Sequence, residues 1–388
     1  MSLSKKPTAI HTASLTITMD DGALKKFDAY RVQYSMALGP TKGGVRYHPE
    51  VTLAEVTELA RLMSLKCSLA GLPYGGAKGG ITVDPAQLSK SELEKLTRAY
   101  VRAFQHVFGP KKDIPAPDVN TSAETMGWFV DEWNTIVGFD DRAVVTGKPL
   151  ILGGSLGRDE ATGLGGVHVL EALRKTLGKE ASEMRIAIQG FGNVGSFFAQ
   201  HAVEKGYVVV AVSDASGGVY SVSGVPVSRM RAHDKKDKFS VCGTCTKITN
   251  DELLALDVDV LIPAALSHVI NEKNISTIKT KYIVEMANGP VDLSIDAELH
   301  ARGVIVVPDV LANAGGVIVS YFEWVQNNTG EYWDLDTVRV KLARYMESMF
   351  TRVHTHAQER RTSLRESAYA FAEERIHAAE QARTSAHI

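Results

Sequence analysis

The run Gln189-Gly190-Phe191-Gly192-Asn193-Val194-Gly195 restricts this chain more than any other stretch. It fits G-x-G-x-x-G, follows the β-like segment Arg185–Gln189, and opens the helix-like segment Val194–Lys205. Glycine at 190 permits a tight turn, and glycine at 192 lets the backbone approach a pyrophosphate. Glycine at 195 brings the helix close to the sheet, and the helix N-terminus favours the phosphate charge. Phe191, Asn193 and Val194 fill out the same loop. Asp214 lies 19 residues beyond Gly195, at the end of the valine-rich segment Val208–Ser213, where a carboxylate can hold ribose hydroxyls. A glycine-rich turn without a ligand needs neither the strand, nor the helix, nor the acid. Together they point to a bound dinucleotide. Asp214 would repel a 2′-phosphate and no Arg or Lys immediately follows it, so the reading leans to NAD. NADP stays open, since a lysine from elsewhere in the fold can compensate.

The surrounding half of the chain alternates strand-like and helix-like segments. Val258–Ile262, Tyr282–Val284 and Val304–Val307 are short, continuous and apolar, as strands buried on both faces of a parallel sheet are. An α/β, doubly wound domain over 151–334 follows. Ligands of such sheets sit at the carboxyl ends of the strands. The segments there carry Ala264, Asn288 and Asn313 among small residues, which suits a close fit around a nicotinamide. The first portion mixes strands (Leu15–Thr18, Ala29–Tyr34, Ile81–Val83) with helices (Thr52–Ala70, Glu92–Phe108, Ala123–Val137). The last portion, with Lys341–Ala357 and Leu364–Ala382 helical, is expected to return to it. The expected division is therefore 1–150 plus 335–388 for substrate binding and oligomerisation, and 151–334 for the dinucleotide. A length of 388 residues suits two cores.

Bulk properties exclude several classes. A net charge of −2 offers no basic excess for nucleic acid. No apolar run approaches the roughly 20 residues that span a bilayer, and Met1–His11 lacks the apolar stretch of a signal peptide. Three cysteines build no disulfide framework, so a reducing cytoplasm is expected. Cys242-Gly-Thr-Cys245 has CxxC spacing, but without a second pair or a nearby His pair it reads as a surface loop, and no metal site is expected.

A cluster of lysines is the more unusual signal. Lys66 shares a face with Leu59, Met63 and Ala70 on a helix that is apolar nearly all round. Lysine is seldom buried without a partner, although its stem can let the ammonium reach water. Lys78 sits among four glycines in Leu72-Pro-Tyr-Gly-Gly-Ala-Lys-Gly-Gly80, and Lys42 in Gly39-Pro-Thr-Lys-Gly43-Gly44. Lysines in glycine-rich or apolar settings suggest a pocket for a multiply anionic small molecule. Crowded cations depress one another's pKa, as desolvation does, and a lysine poised nearer neutrality can serve in proton transfer. Asp118 is held in the proline-stiffened run Ile114-Pro-Ala-Pro-Asp118.

These segments resemble the glutamate, leucine, phenylalanine and valine dehydrogenases. Gly71-Leu-Pro-Tyr-Gly-Gly-Ala-Lys78-Gly-Gly80 is similar to that family's signature around its catalytic lysine. Pro115-Ala-Pro-Asp118, Val145-Thr146-Gly-Lys-Pro149, Gly153-Gly-Ser-Leu-Gly157 and Asn313-Ala-Gly-Gly316 match in order, over roughly Tyr34 to Gln326. The resemblance implies oxidative deamination of an amino acid, with hydride passing to a nicotinamide dinucleotide. It implies that Lys78 activates water and stabilises charge on the carbinolamine, that Asp118 shuttles a proton to the substrate nitrogen, and that Lys66 pairs with the α-carboxylate. Gly43 would lie at the substrate and Thr146 at the cofactor. In the glutamate enzymes a lysine and a serine hold the distal carboxylate, and the matching positions are Lys42 and Ser320. A buried cation facing an apolar side chain would be an unpaired charge, so the implied substrates are L-glutamate, 2-oxoglutarate and ammonium. The alternatives are an enzyme for leucine, valine or phenylalanine, and a non-catalytic dinucleotide sensor. The resemblance also implies a homo-oligomer, a hexamer. Two departures stand out. Met286 occupies a position where the family has glycine, which is expected to disturb the nicotinamide loop. The chain also starts close to its first strand, which is expected to alter subunit contacts.

Overall fold

Two sheets organise the residues described by the computed structural model, 6–234 and 237–385. In the first, β1 (Ala9–Thr18) and β2 (Leu24–Ser35) pair antiparallel, and β2 pairs antiparallel with β4 (Gly75–Thr82). β3 (Thr41–His48) lies parallel between β4 and β5 (Asp113–Pro117), giving the order β1-β2-β4-β3-β5. Helix α1 (Leu53–Leu69) starts where the Thr52 side chain accepts the Glu55 N–H. Helices α2 (Lys90–Ala103) and α3 (Ala123–Val137) each begin at a serine capping box, Ser89 and Ser122, and Gly138 ends α3 at φ 81°. Val45, Ile81, Tyr100, Phe104, Phe108 and Phe129 sit in the core between sheet and helices.

The glycine-rich lysine segments are strands, which was not anticipated: only Ile81 onward reads as β. Glycine is poor in strands because it packs nothing. Here the missing side chains make room. A Cβ on Gly76 would stand 2.2 Å from the backbone nitrogen of Ser64 in α1, and one on Gly79 would stand 2.2 Å from the Tyr100 hydroxyl.

The second sheet begins after α4 (Ala161–Leu177) with β6 (Arg185–Gln189), α5 (Asn193–Glu204) and β7 (Val208–Asp214). β8 (Gly217–Tyr220), α6 (Val227–Ala232), β9 (Thr246–Ile248) and α7 (Asn250–Leu254) follow. The run closes with β10 (Val260–Pro263), β11 (Tyr282–Val284), α8 (Asp296–Ala301), β12 (Ile305–Val307) and α9 (Asp309–Ala312). The order is β12-β11-β10-β6-β7-β8-β9, with the first five parallel and β8 and β9 antiparallel. β6 has β7 on one side and β10 on the other, so the winding reverses at β6, where doubly wound sheets bind their ligands. The short β8–β9 pair carries too few residues for its periodicity to be read in advance.

Three helices complete the chain: α10 (Gly315–Thr329), α11 (Leu335–Arg360) and α12 (Leu364–Ser385). Two units result. One comprises the chain to Arg158 with Val317–Val338 and the stretch from Phe371; the other comprises Asp159–Gly316 with Arg339–Ala370. The expected return of 335–388 as one block is therefore corrected: 339–370 groups with the parallel sheet. Ion pairs show why. Arg339 Nε meets Glu160 at 2.6 Å, and Arg365 meets Glu285 at 2.7 Å, both within the second unit. No helix among the described residues is long and apolar enough to cross a membrane.

Candidate active site

Strand geometry in the first unit sets out the lysine constellation. Side chains alternate along β3, so Lys42, Gly44 and Arg46 share one face. Lys78 on β4 is buried, and its ammonium pairs with Asp118 Oδ2, just beyond β5. Arg46 Nε donates to Asp118 Oδ1 at 2.8 Å, and its Nη1 reaches Glu55 at 2.5 Å. The Asp118 N–H donates to Thr121 Oγ1 at 2.7 Å. Burial alone would raise the Asp118 carboxyl; Lys78 and Arg46 outweigh it and hold it down to about 2. Glycine at 44 is required, because a Cβ there would lie 2.8 Å from Asp118 Cβ. Glycine at 43 is equally constrained, with the Ala77 carbonyl oxygen 1.6 Å from a Cβ. Beneath them Arg31, fully buried, pairs with Asp113 and donates to the Gly43 carbonyl at 3.0 Å.

Lys42 is 1% exposed, its Nζ 3.5 Å from the Pro115 carbonyl oxygen. No carboxylate among the described residues lies within ion-pair distance of it. Burial pushes its ammonium down to about 7. Lys66 is half-buried near the end of α1; burial pushes the neighbouring Cys67 thiol up to about 12, with Lys42 and Lys66 opposing the rise. Ser320 is buried on α10. One turn further on, buried Glu323 accepts from the Gly147 N–H at 2.7 Å and the Lys148 ammonium at 2.7 Å, fixing the 145–149 loop. Thr146 on that loop is fully buried, and its hydroxyl has no hydrogen-bond partner among the described residues.

In the second unit Gly190 adopts φ 102°, and a Cβ on Gly195 would lie 1.8 Å from the Gly190 carbonyl oxygen. Gly192 faces open space, with nothing within 4 Å of a Cβ. Phe191 is buried beside it, Asn193 Nδ2 donates to the Asp159 carbonyl at 2.9 Å, and Val194 lies in the first turn of α5. The Ala264 N–H donates to the Gln189 carbonyl at 2.7 Å, which brings the end of β10 against the glycine-rich turn. Asn313 Nδ2 donates to Asn288 Oδ1 at 3.1 Å. Asp214 ends β7, where Ser216 and Lys238 hold it, Lys238 Nζ at 2.7 Å. A dinucleotide fits these groups: open backbone at Gly192, a helix N-terminus behind it to donate to phosphate, and a buried Gln189 Oε1, an acceptor without a partner among the described residues.

Met286 is buried. Its sulfur fills the space over α4 that glycine leaves at position 166, 2.3 Å from where a Cβ would stand. Cys242 and Cys245 depart from expectation: they are joined as a disulfide. A spacing of three residues within a tight turn, Cys245 N–H to the Cys242 carbonyl at 3.1 Å, brings the two sulfurs together.

Arg46, Glu323, Lys238 and Arg365 escaped the sequence reading. Arg46 had a signal, period-two spacing from Lys42, visible only if Lys42 is placed on a strand. Lys238 reaches Asp214 across the fold and had none.

A dinucleotide-binding sheet and a lysine–carboxylate centre on a second sheet define a dinucleotide-dependent enzyme. The chain belongs to the Glu/Leu/Phe/Val dehydrogenase family: the family's dehydrogenase domain matches residues 153–384, and its dimerisation domain matches 7–135. It is 47% identical over 369 residues to the catabolic NAD-specific glutamate dehydrogenase RocG of Bacillus subtilis, covering 95% of this chain and 87% of that protein. With the NAD-specific glutamate dehydrogenase of Staphylococcus aureus it shares 45% over 372 residues, covering 95% and 89%. Among solved structures, the glutamate dehydrogenase of Peptoniphilus asaccharolyticus superposes with a TM-score of 0.89 at 40% identity, covering 98% and 93%. The hetero-hexameric glutamate dehydrogenase of Thermus thermophilus, in its Leu-bound form, gives 0.90 at 38%, covering 97% and 90%.

Proposed function

We propose that this chain is a glutamate dehydrogenase, catalysing reversible oxidative deamination of L-glutamate to 2-oxoglutarate and ammonium with NAD as hydride acceptor. The observation that carries the reading is Asp118 held between Lys78 and Arg46, in the same unit as a buried Lys42 with no carboxylate at ion-pair distance among the described residues. Lys42 and Ser320 take the distal carboxylate of glutamate, Lys66 takes the α-carboxylate, and the backbone at Gly43 lies close to the substrate. A leucine side chain would leave Lys42 buried and unpaired.

Asp118, kept ionised by its two cations, accepts the proton that frees the substrate amine. Neutralising Asp118 releases Lys78 from their ion pair, so that its Nζ can turn to the reacting centre. Lys78 can accordingly activate the water that attacks the imino carbon and steady the charge that develops on the carbinolamine oxygen. Asp118 returns its proton to the nitrogen, which leaves as ammonia. NAD, when bound, supplies the hydride acceptor at C4 of its nicotinamide. Gly190, Phe191, Gly192, Asn193, Val194 and Gly195 would cradle its phosphates and Asp214 its ribose. Ala264, Asn288 and Asn313 would line its nicotinamide end.

Lys238 beside Asp214 offsets the charge that would repel a 2′-phosphate, so NADH and NADPH belong in the same assay. The test is loss of reduced-nicotinamide absorbance with 2-oxoglutarate and ammonium. Oxidation of NADH is expected; silence with both cofactors in folded protein would remove the reading. The proposal includes a cytoplasmic homohexamer.

A further inference from the structure

The CxxC loop has no part in the deamination, yet it is docked on the dinucleotide site. Lys238 Nζ lies 2.7 Å from Asp214 Oδ2 and 3.4 Å from the Phe191 carbonyl oxygen, joining the ribose-binding acid to the glycine-rich turn. The Phe239 ring packs 6.1 Å from that of Phe191. Three successive turns run from there to the cysteines. Ser240 N–H donates to the Asp237 carbonyl at 3.0 Å, Cys242 N–H to the Phe239 carbonyl at 3.2 Å, and Cys245 N–H to the Cys242 carbonyl at 3.1 Å. The far end is anchored as well: Cys245 leads directly into β9, which pairs with β8, which pairs through Gly217 with Asp214 itself. A pocket of about 430 Å³ is bordered by Asp214, Ser216, Lys238 and both cysteines.

The disulfide closes a loop too short to add much stability. Gly243 and Thr244 between the cysteines are exposed, so a reductant can reach the bond. We propose that Cys242 and Cys245 are a thiol–disulfide site that controls access of the dinucleotide's adenosine ribose to Asp214. The proposal rests on the assignment of Asp214 to that ribose in the function proposed above. With the disulfide closed, the turns hold Lys238 on Asp214 and on the Phe191 carbonyl, and the ribose must displace it. A dithiol reductant opens the ring. Its thiolate attacks one Sγ, the S–S bond breaks to leave a mixed disulfide, and its second thiol displaces the remaining cysteine. Two protons pass to the cysteine thiolates and the reductant leaves as its own disulfide. The loop then relaxes and Asp214 is freed. A small-molecule disulfide reverses the exchange.

The experiment uses the full chain equilibrated with reduced dithiothreitol or with oxidised glutathione, its thiols counted by alkylation and mass spectrometry. Cys67 is fully buried with its thiol pushed up to about 12, so the change in count reports Cys242 and Cys245. Initial rates are then measured against NAD concentration at saturating glutamate. The disulfide form is expected to show a KM for NAD about fivefold higher or more, with kcat unchanged. The double variant Cys242→Ser/Cys245→Ser should keep the low KM under both treatments, and Lys238→Ala should abolish the difference. Equal KM values in forms shown to differ by two thiols would overturn the proposal. So would a difference that survives in the double serine variant, or a thiol count that does not change. A chain inactive on glutamate in both forms would instead remove the function proposed above. The same comparison made by calorimetric NAD binding would then decide this proposal alone.

Discussion

Asp118 shows how two neighbours decide the behaviour of one side chain. Its carboxyl is held near 2 against the effect of burial, by Lys78 on one oxygen and Arg46 on the other. Removing one cation should let the carboxyl rise. Arg46→Gln is expected to move the acid limb of the kcat/KM profile up by about one pH unit, with Arg46→Lys restoring part of the shift. An unmoved limb would show that Arg46 serves Glu55 alone. Lys78→Ala should lower kcat by about a hundredfold or more while NAD binding, measured calorimetrically, stays intact; joint loss of both would misassign Lys78. Lys42 gives a third prediction. Its pKa, near 7 in the free protein, must rise when a carboxylate arrives, because the charged form then gains a partner. At a pH above 7, 2-oxoglutarate binding should take up a proton, and Lys42→Leu should abolish the uptake. Calorimetry in buffers of differing ionisation enthalpy measures it. Binding without uptake would place the distal carboxylate elsewhere.

At the scale of elements, the buried pair Lys148–Glu323 ties α10 to the 145–149 loop, with both side chains 1% exposed or less. Glu323→Ala leaves a buried cation without its counter-charge and two N–H groups unsatisfied, and should destabilise the fold by about 3 kcal/mol or more in urea titration. Lys148→Met/Glu323→Leu should cost much less; an equal cost would mean that the loop, and not the charge, is at stake. Helices α1, α3 and α12 were legible because a long helical stretch is a local pattern: the segments Thr52–Ala70, Ala123–Val137 and Leu364–Ala382 read as helical fall on them. β6 and β11 were legible as short apolar runs. β3 and the first half of β4 were hidden, since their glycines serve close approach by other elements and carry no apolar alternation.

For the whole molecule, the match of residues 7–135 to a dimerisation domain motivates an assembly test. Light scattering coupled to gel filtration should give the mass of six chains; a monomer would overturn the hexamer. The sequence by itself located the parallel sheet and its glycine-rich turn, and singled out Asp214, Lys42, Lys78 and Asp118 as candidates. Those signals are short-range, because a turn, a strand and a helix cap each need only neighbouring residues. Tertiary structure alone decided which charges meet. Arg46 joins Asp118, Lys238 covers Asp214, Glu323 locks Lys148, and Met286 drops into the space over Gly166. It also divided the C-terminal helices between the units, sending 339–370 to the parallel sheet. Ion pairs and cavities form between residues far apart in the chain. Their energies depend on burial and distance, which no local pattern encodes.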